Sequence, residues 1–125
     1  MRTMDDRTPK EDLLVGGLDD WTDASWVYNG TSRTGIADYE QRRAFTFGLI
    51  AELLVEGLMI PGDVDGAGHH PWPHSPGEAI ERIIREWLTE WVDEVPTPGA
   101  IVWLANTEAG DAIGRDVLAR EDHRP

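Results

Sequence analysis

The chain has 125 residues, 24 of them acidic and 11 basic, for a formal charge of −13, and it contains no cysteine. Disulfides, thiolate zinc sites and cysteine nucleophiles are excluded, and so acidic a surface repels nucleic acid and anionic lipid while attracting basic partners. With 40% hydrophobic and 28% charged residues, the composition predicts one globular domain over 8–119, with flexible polar ends at 1–7 and 120–125.

Thr8-Pro9-Lys10-Glu11 reads as a helix start: threonine caps, proline suits the first turn, and glutamate follows three residues later. Gly16-Gly17 ends that short helix. Asp20–Tyr28 has two readings. Trp21, Ala24 or Ser25, and Tyr28 fall at helical spacing, with Asp19 or Asp20 as cap, whereas Ser25–Tyr28 before Asn29-Gly30 resembles a strand entering a tight turn. Helix is favoured.

The spacing predicts an amphipathic helix over Asp38–Gly57. Asp38 and Gln41 open it, and Phe45, Leu49, Ile50, Leu53, Leu54 and Leu58 form its apolar stripe. Gly57 is a natural left-handed stop. Gly62–His74 lacks apolar periodicity, contains several glycine and proline breaks, and reads as a loop. Ser75-Pro76-Gly77-Glu78 then gives cap, first-turn proline and capping-box glutamate in order. The second amphipathic helix runs from there to about Asp93, with Ile80, Ile83, Ile84, Trp87, Leu88, Trp91 and Val92 on its apolar face. Glu78–Arg82 and Glu81–Arg85 are favourably spaced ion pairs. Pro96-Thr97-Pro98-Gly99 breaks the chain, Ala100–Leu104 is an apolar run of strand length, and Thr107 caps a last helix. The expected fold is α+β and α-rich. Two amphipathic helices pack together, joined by one or two short strands and a C-terminal helix.

Few residues assemble into recognisable chemistry. His69, His70 and His74 lie close in sequence, with Asp63 and Asp65 upstream, and imidazole with carboxylate suits zinc or nickel. Their spacing matches no helix-face ligand pattern, and no cofactor is expected. Ser25, Ser32 and Ser75 occupy no nucleophile motif, and Lys10, the only lysine, follows no phosphate-binding glycine loop. The expectation is a non-enzymatic protein. Asp5, Asp6, Glu11 and Asp12 fill the place of a signal peptide's apolar run, and no apolar stretch is long enough to span a membrane. A cytoplasmic protein is expected.

Charge is uneven along the chain. Glu52–Pro98 holds ten acidic residues against Arg82 and Arg85, whereas Ala24–Ala51 holds Asp38 and Glu40 against Arg33, Arg42 and Arg43. Glu86, Glu90, Asp93 and Glu94 project from the second amphipathic helix and its exit without a basic partner in sequence, and are the candidate surface for a basic protein. Trp72, between two prolines, is a candidate exposed anchor for the same kind of contact.

Two resemblances add to this reading. Ala51-Glu52-Leu53-Leu54-Val55-Glu56-Gly57-Leu58 resembles the helix ending in a Gly-Leu step of winged-helix domains, and Trp103–Gly110 resembles the Thr-x-x-Gly that follows their wing strand. That likeness implies a DNA-associated regulator, for which Arg33, Arg42 and Arg43 would contact phosphates. Glu52 and Glu56 stand where a DNA-reading helix is basic, and a second amphipathic helix precedes the wing strand. In size, acidity and lack of cysteine and catalytic motifs, the chain also resembles bacterial immunity proteins, which neutralise cognate toxins. That likeness implies a binding protein that covers a basic toxin surface, and it transfers no individual residue.

Overall fold

Each of the five α-helices among the described residues starts on a side-chain cap. Thr8 and Glu11 form a complete capping box on α1 (Pro9–Gly16), and Ser75 and Glu78 form another on α4 (Pro76–Glu90). Asp23 accepts from the Trp26 N–H at the start of α2 (Ala24–Gly30), and Asp38 accepts from the Gln41 N–H at the start of α3 (Tyr39–Val55). The Thr107 hydroxyl accepts from the Gly110 N–H at the start of α5 (Glu108–Asp122). The computed structural model describes residues 6–122. Among those residues no helix is long and apolar enough to cross a membrane.

The fold is α+β and helix-rich, with one four-stranded antiparallel sheet. Its strands are β1 (Thr22–Asp23), β2 (Met59–Asp65), β3 (Gly68–Pro71) and β4 (Trp103–Asn106), in the spatial order β1-β4-β2-β3. The favoured helical reading of Asp20–Tyr28 holds from Ala24 onward, and the strand reading of Ser25–Tyr28 does not, because the Asp23 carboxylate caps a helix there. A two-residue strand comes first, and the helix after it is capped by Asp23 rather than by Asp19 or Asp20.

Gly62–His74 corrects the sequence reading most. In place of a loop, β2 and β3 form a hairpin in which Gly62 pairs with Pro71 and Val64 with His69. Period-two alternation is hidden there, because Pro61 and Gly62 fall mid-strand. The glycine is what permits the pairing. A Cβ at Gly62 would collide with the His70 carbonyl and the His69 ring, so only glycine lets β3 approach.

The expected strand over Ala100–Leu104 begins three residues late, at Trp103. Ile101 has φ of 73°, and the Val102 N–H donates to the Ala100 carbonyl across it at 2.9 Å, a strained γ-turn that delays the extended conformation. Burial of the Ile101 side chain holds that turn in place.

The core lies between the helices and one sheet face. α3 and α4 pack together as expected, around the fully buried Trp87. Phe47 meets its indole edge-on at a centroid distance of 5.3 Å. Phe45, expected in the core stripe, is 38% exposed instead. The buried face of α3 begins at Thr46, whose hydroxyl donates to the Arg42 carbonyl and so can be buried at little cost. The helix ends as its sequence predicts, with Gly57 at φ 71° and Schellman bonds from Gly57 to Leu54 and from Leu58 to Leu53.

α5 lies against α1 and the α3–β2 junction. Gly110 and Gly114 make that fit, because a Cβ at either would strike the Leu58 or Leu14 carbonyl. Arg7 reaches across to Glu121 through two parallel 2.7 Å bonds, so residues assigned by composition to flexible ends are joined. The rest of those ends, 1–5 and 123–125, lies outside the described residues.

Candidate acidic interaction site

The four carboxylates singled out in the sequence are brought together at the C-terminal end of α4. The helix ends at Glu90, earlier than expected, so Glu86 and Glu90 lie one turn apart on it while Asp93 and Glu94 sit on the turn beyond. Glu86 is half-buried and the other three are exposed. None of the four makes an ion pair among the described residues, and the last turn of α4 carries no basic residue.

Among the described residues, charge at this end of α4 is offset only by the Arg43 guanidinium on the Val92 carbonyl. The C-terminal end of a helix carries the negative pole of its dipole and favours cations. Here carboxylates crowd that pole, and their mutual repulsion adds to the mismatch.

A hydrogen-bonded platform holds the cluster in place. The Trp87 indole N–H donates to the Tyr39 hydroxyl at 3.0 Å. That hydroxyl has one proton, and two carbonyls lie within reach, Glu94 at 2.6 Å and Trp91 at 3.1 Å. The shorter contact to Glu94 takes the proton on distance. Arg43 donates to the Val92 carbonyl at 2.9 Å and lies over the Tyr39 ring. The turn carrying Asp93 and Glu94 is thus fastened to α3 by main-chain carbonyls, which leaves the carboxylates outward. Val92, 50% exposed, adds an apolar element beside them. Tyr39 was not legible as a site residue and Arg43 was offered only as a phosphate contact, because the role of each here depends on which carbonyls the tertiary fold brings to it.

Trp72 is not the exposed anchor that its setting between two prolines suggested. It is only 7% exposed. Its backbone N–H continues the hairpin by donating to the Pro61 carbonyl, and Arg82 covers the buried ring at 3.8 Å. Arg82 is thereby drawn to Trp72 and to His74, at 3.3 Å, rather than to Glu78 as helical spacing suggested. The Glu81–Arg85 pair does form.

The three histidines do not converge. His69 reaches the Trp103 carbonyl at 3.0 Å, His70 meets Asp65 at 2.8 Å on the opposite sheet face, and His74 lies beyond the strand against Arg82. Strand alternation separates His69 from His70. Among the described residues no group of three metal-ligating side chains is assembled. The His70 imidazole instead holds the Asp65 carboxyl below its ordinary pKa.

The arginines offered as phosphate contacts are engaged within the fold. Arg42 bonds the Thr31 hydroxyl and the Tyr28 carbonyl and stacks over the Tyr28 ring at 4.2 Å. Arg43 is bound to Val92 as described, and Arg33 lies 3.8 Å from the Asp12 carboxylate.

Comparison with protein-family models, with curated proteins and with solved structures finds no match to this chain.

Proposed function

We propose that the chain is a non-enzymatic binding domain whose acidic α4 end covers a cationic protein surface, in the manner of an immunity-type inhibitor covering a basic toxin. One observation carries this reading. Glu86, Glu90, Asp93 and Glu94 are gathered at the C-terminal end of α4 with no ion-pair partner among the described residues, and Arg43, the cation bonded to that exit turn, is held on the Val92 carbonyl rather than on a carboxylate. A basic partner relieves that repulsion on binding, and the fixed platform lowers the ordering cost of the contact. The whole-chain charge of −13 steers the same class of partner over longer range.

A DNA-associated role is less well supported. Its candidate arginines are spent on carbonyls, a hydroxyl and a carboxylate of the protein itself.

Charge reversal tests the proposal. The wild-type chain and a Glu86→Lys, Glu90→Lys, Asp93→Lys variant are used as bait in nuclease-treated lysate of the native cell. A single basic protein held by the wild type and lost from the variant is the expected result. Equal retention of that protein by both baits at low salt would sink the α4 interface.

A further inference from the structure

The sheet has a second face that the core does not use. Residues paired across neighbouring strands point to the same side, so Ile60 and Ala105 share a face with Gly62 and Trp103, and with Val64 and His69. Met59 and Leu104 point the other way, into the core. The outer face is largely apolar and partly open over β4, β2 and β3, while at β1 it carries the buried Asp23, paired with Trp103. Ile60 is 38% exposed, and Trp103, Ala105, Val64 and His69 are half-buried. Trp21 extends the face beyond β1 and is 39% exposed, its ring 6.4 Å from that of His69.

His69 is built into this surface. Its ring lies over Gly62 and bonds the Trp103 carbonyl, so the imidazole reaches from β3 across β2 to β4. Since a carbonyl only accepts, Nε2 carries the proton in that bond.

One side of the face opens into a cleft of about 310 Å³, lined by Asp19, Asp20 and Asp111 together with Trp21, Ala105 and Asn106. No basic residue lines it. Aromatic wall and carboxylates together suit a guanidinium, which can stack on an indole while bonding carboxylate oxygens.

From this we infer that the outer sheet face is a second docking surface, taken by a cationic protein segment that places an arginine in the Asp19–Asp20–Asp111 cleft and apolar side chains over Ile60 and Trp103. Charge decides between occupants. A second copy of the chain would bring another −13 and set like charge against the same rim. A basic partner is attracted by it. This surface shares with the α4 end only the sign of the partner's charge.

The test is an NMR titration of the ¹⁵N-labelled full chain with a blocked peptide of alternating arginine and leucine, beside its glutamate–leucine counterpart. Saturable shifts are expected for the indole N–H signals of Trp21 and Trp103 and the Ala105 amide, with the arginine peptide alone. Ile60→Arg should weaken that binding about tenfold. Should that variant fail to fold, Asp20→Asn with Asp111→Asn should weaken it in the same direction. Three results would overturn the inference: shifts confined to Val92–Glu94, an equal response to the glutamate peptide, or self-association through Ile60 without peptide. Shifts at the sheet face with a silent α4 end would uphold it and count against the α4 interface.

Discussion

Tyr39 is where single residues matter most to the proposed site. One hydroxyl links the Trp87 indole in the core to the carbonyl of Glu94 on the surface. The acidic turn is therefore positioned by a buried aromatic, although its own residues are exposed. Glu78 makes the corresponding point for helix starts. The Ser75 N–H and hydroxyl hold its carboxyl below the ordinary value of 4.5, so the folded state favours the ionised form. The stabilisation is present above that value and is lost as pH falls through the lowered folded pKa. Thermal unfolding of wild type and Glu78→Gln should therefore differ near neutral pH and converge in acid. A gap that persists unchanged at low pH would show that the charge of Glu78 contributes nothing to the cap.

At the scale of elements, local chemistry and close approach divide the work. Caps and the Gly57 stop set where helices begin and end, but glycine at Gly110 sets where α5 lies. Gly110→Ala drives a methyl into the Leu58 carbonyl, and the backbone must move to admit it. The expected loss is about 2 kcal/mol in urea unfolding. Gly77 sits in the first turn of α4 with open space around its missing Cβ, so Gly77→Ala should be neutral or stabilising by up to about 1 kcal/mol. Similar losses for both variants would mean that the α5 contact is not the cause. The hairpin belongs to this scale as well. Its register depends on Gly62, a residue that propensity alone counts against a strand.

For the whole molecule, closure of the chain on itself is the salient feature. Arg7, before α1, forks onto Glu121 near the end of α5 and also bonds Asp12, and Arg120 reaches back to Glu11. The Glu121 bond raises the Arg7 pKa above its already high ordinary value, so the guanidinium side of this link is always protonated. Both side chains of the fork are largely buried, at 9% and 12% exposure. Arg7→Ala removes both bonds of the fork and should cost about 2 kcal/mol in urea unfolding. Arg7→Lys keeps the charge but not the planar fork and should fall between the two. An alanine variant as stable as wild type would show that the ends are held by helix packing alone.

The amino-acid sequence by itself determined the class of fold, most of the helix starts and the location of the unpaired acid. These depend on nearest neighbours: a cap reaches three residues, an apolar stripe repeats every three or four, and charge is counted along the chain. The β2–β3 hairpin, the burial of Trp72, the dispersal of the three histidines and the capture of Arg42 and Arg43 were decided only by the tertiary structure. Each depends on a partner distant in sequence. The His70 carbonyl over Gly62, Arg82 over Trp72, and the Val92 carbonyl beside Arg43 are contacts between groups that no local spacing encodes.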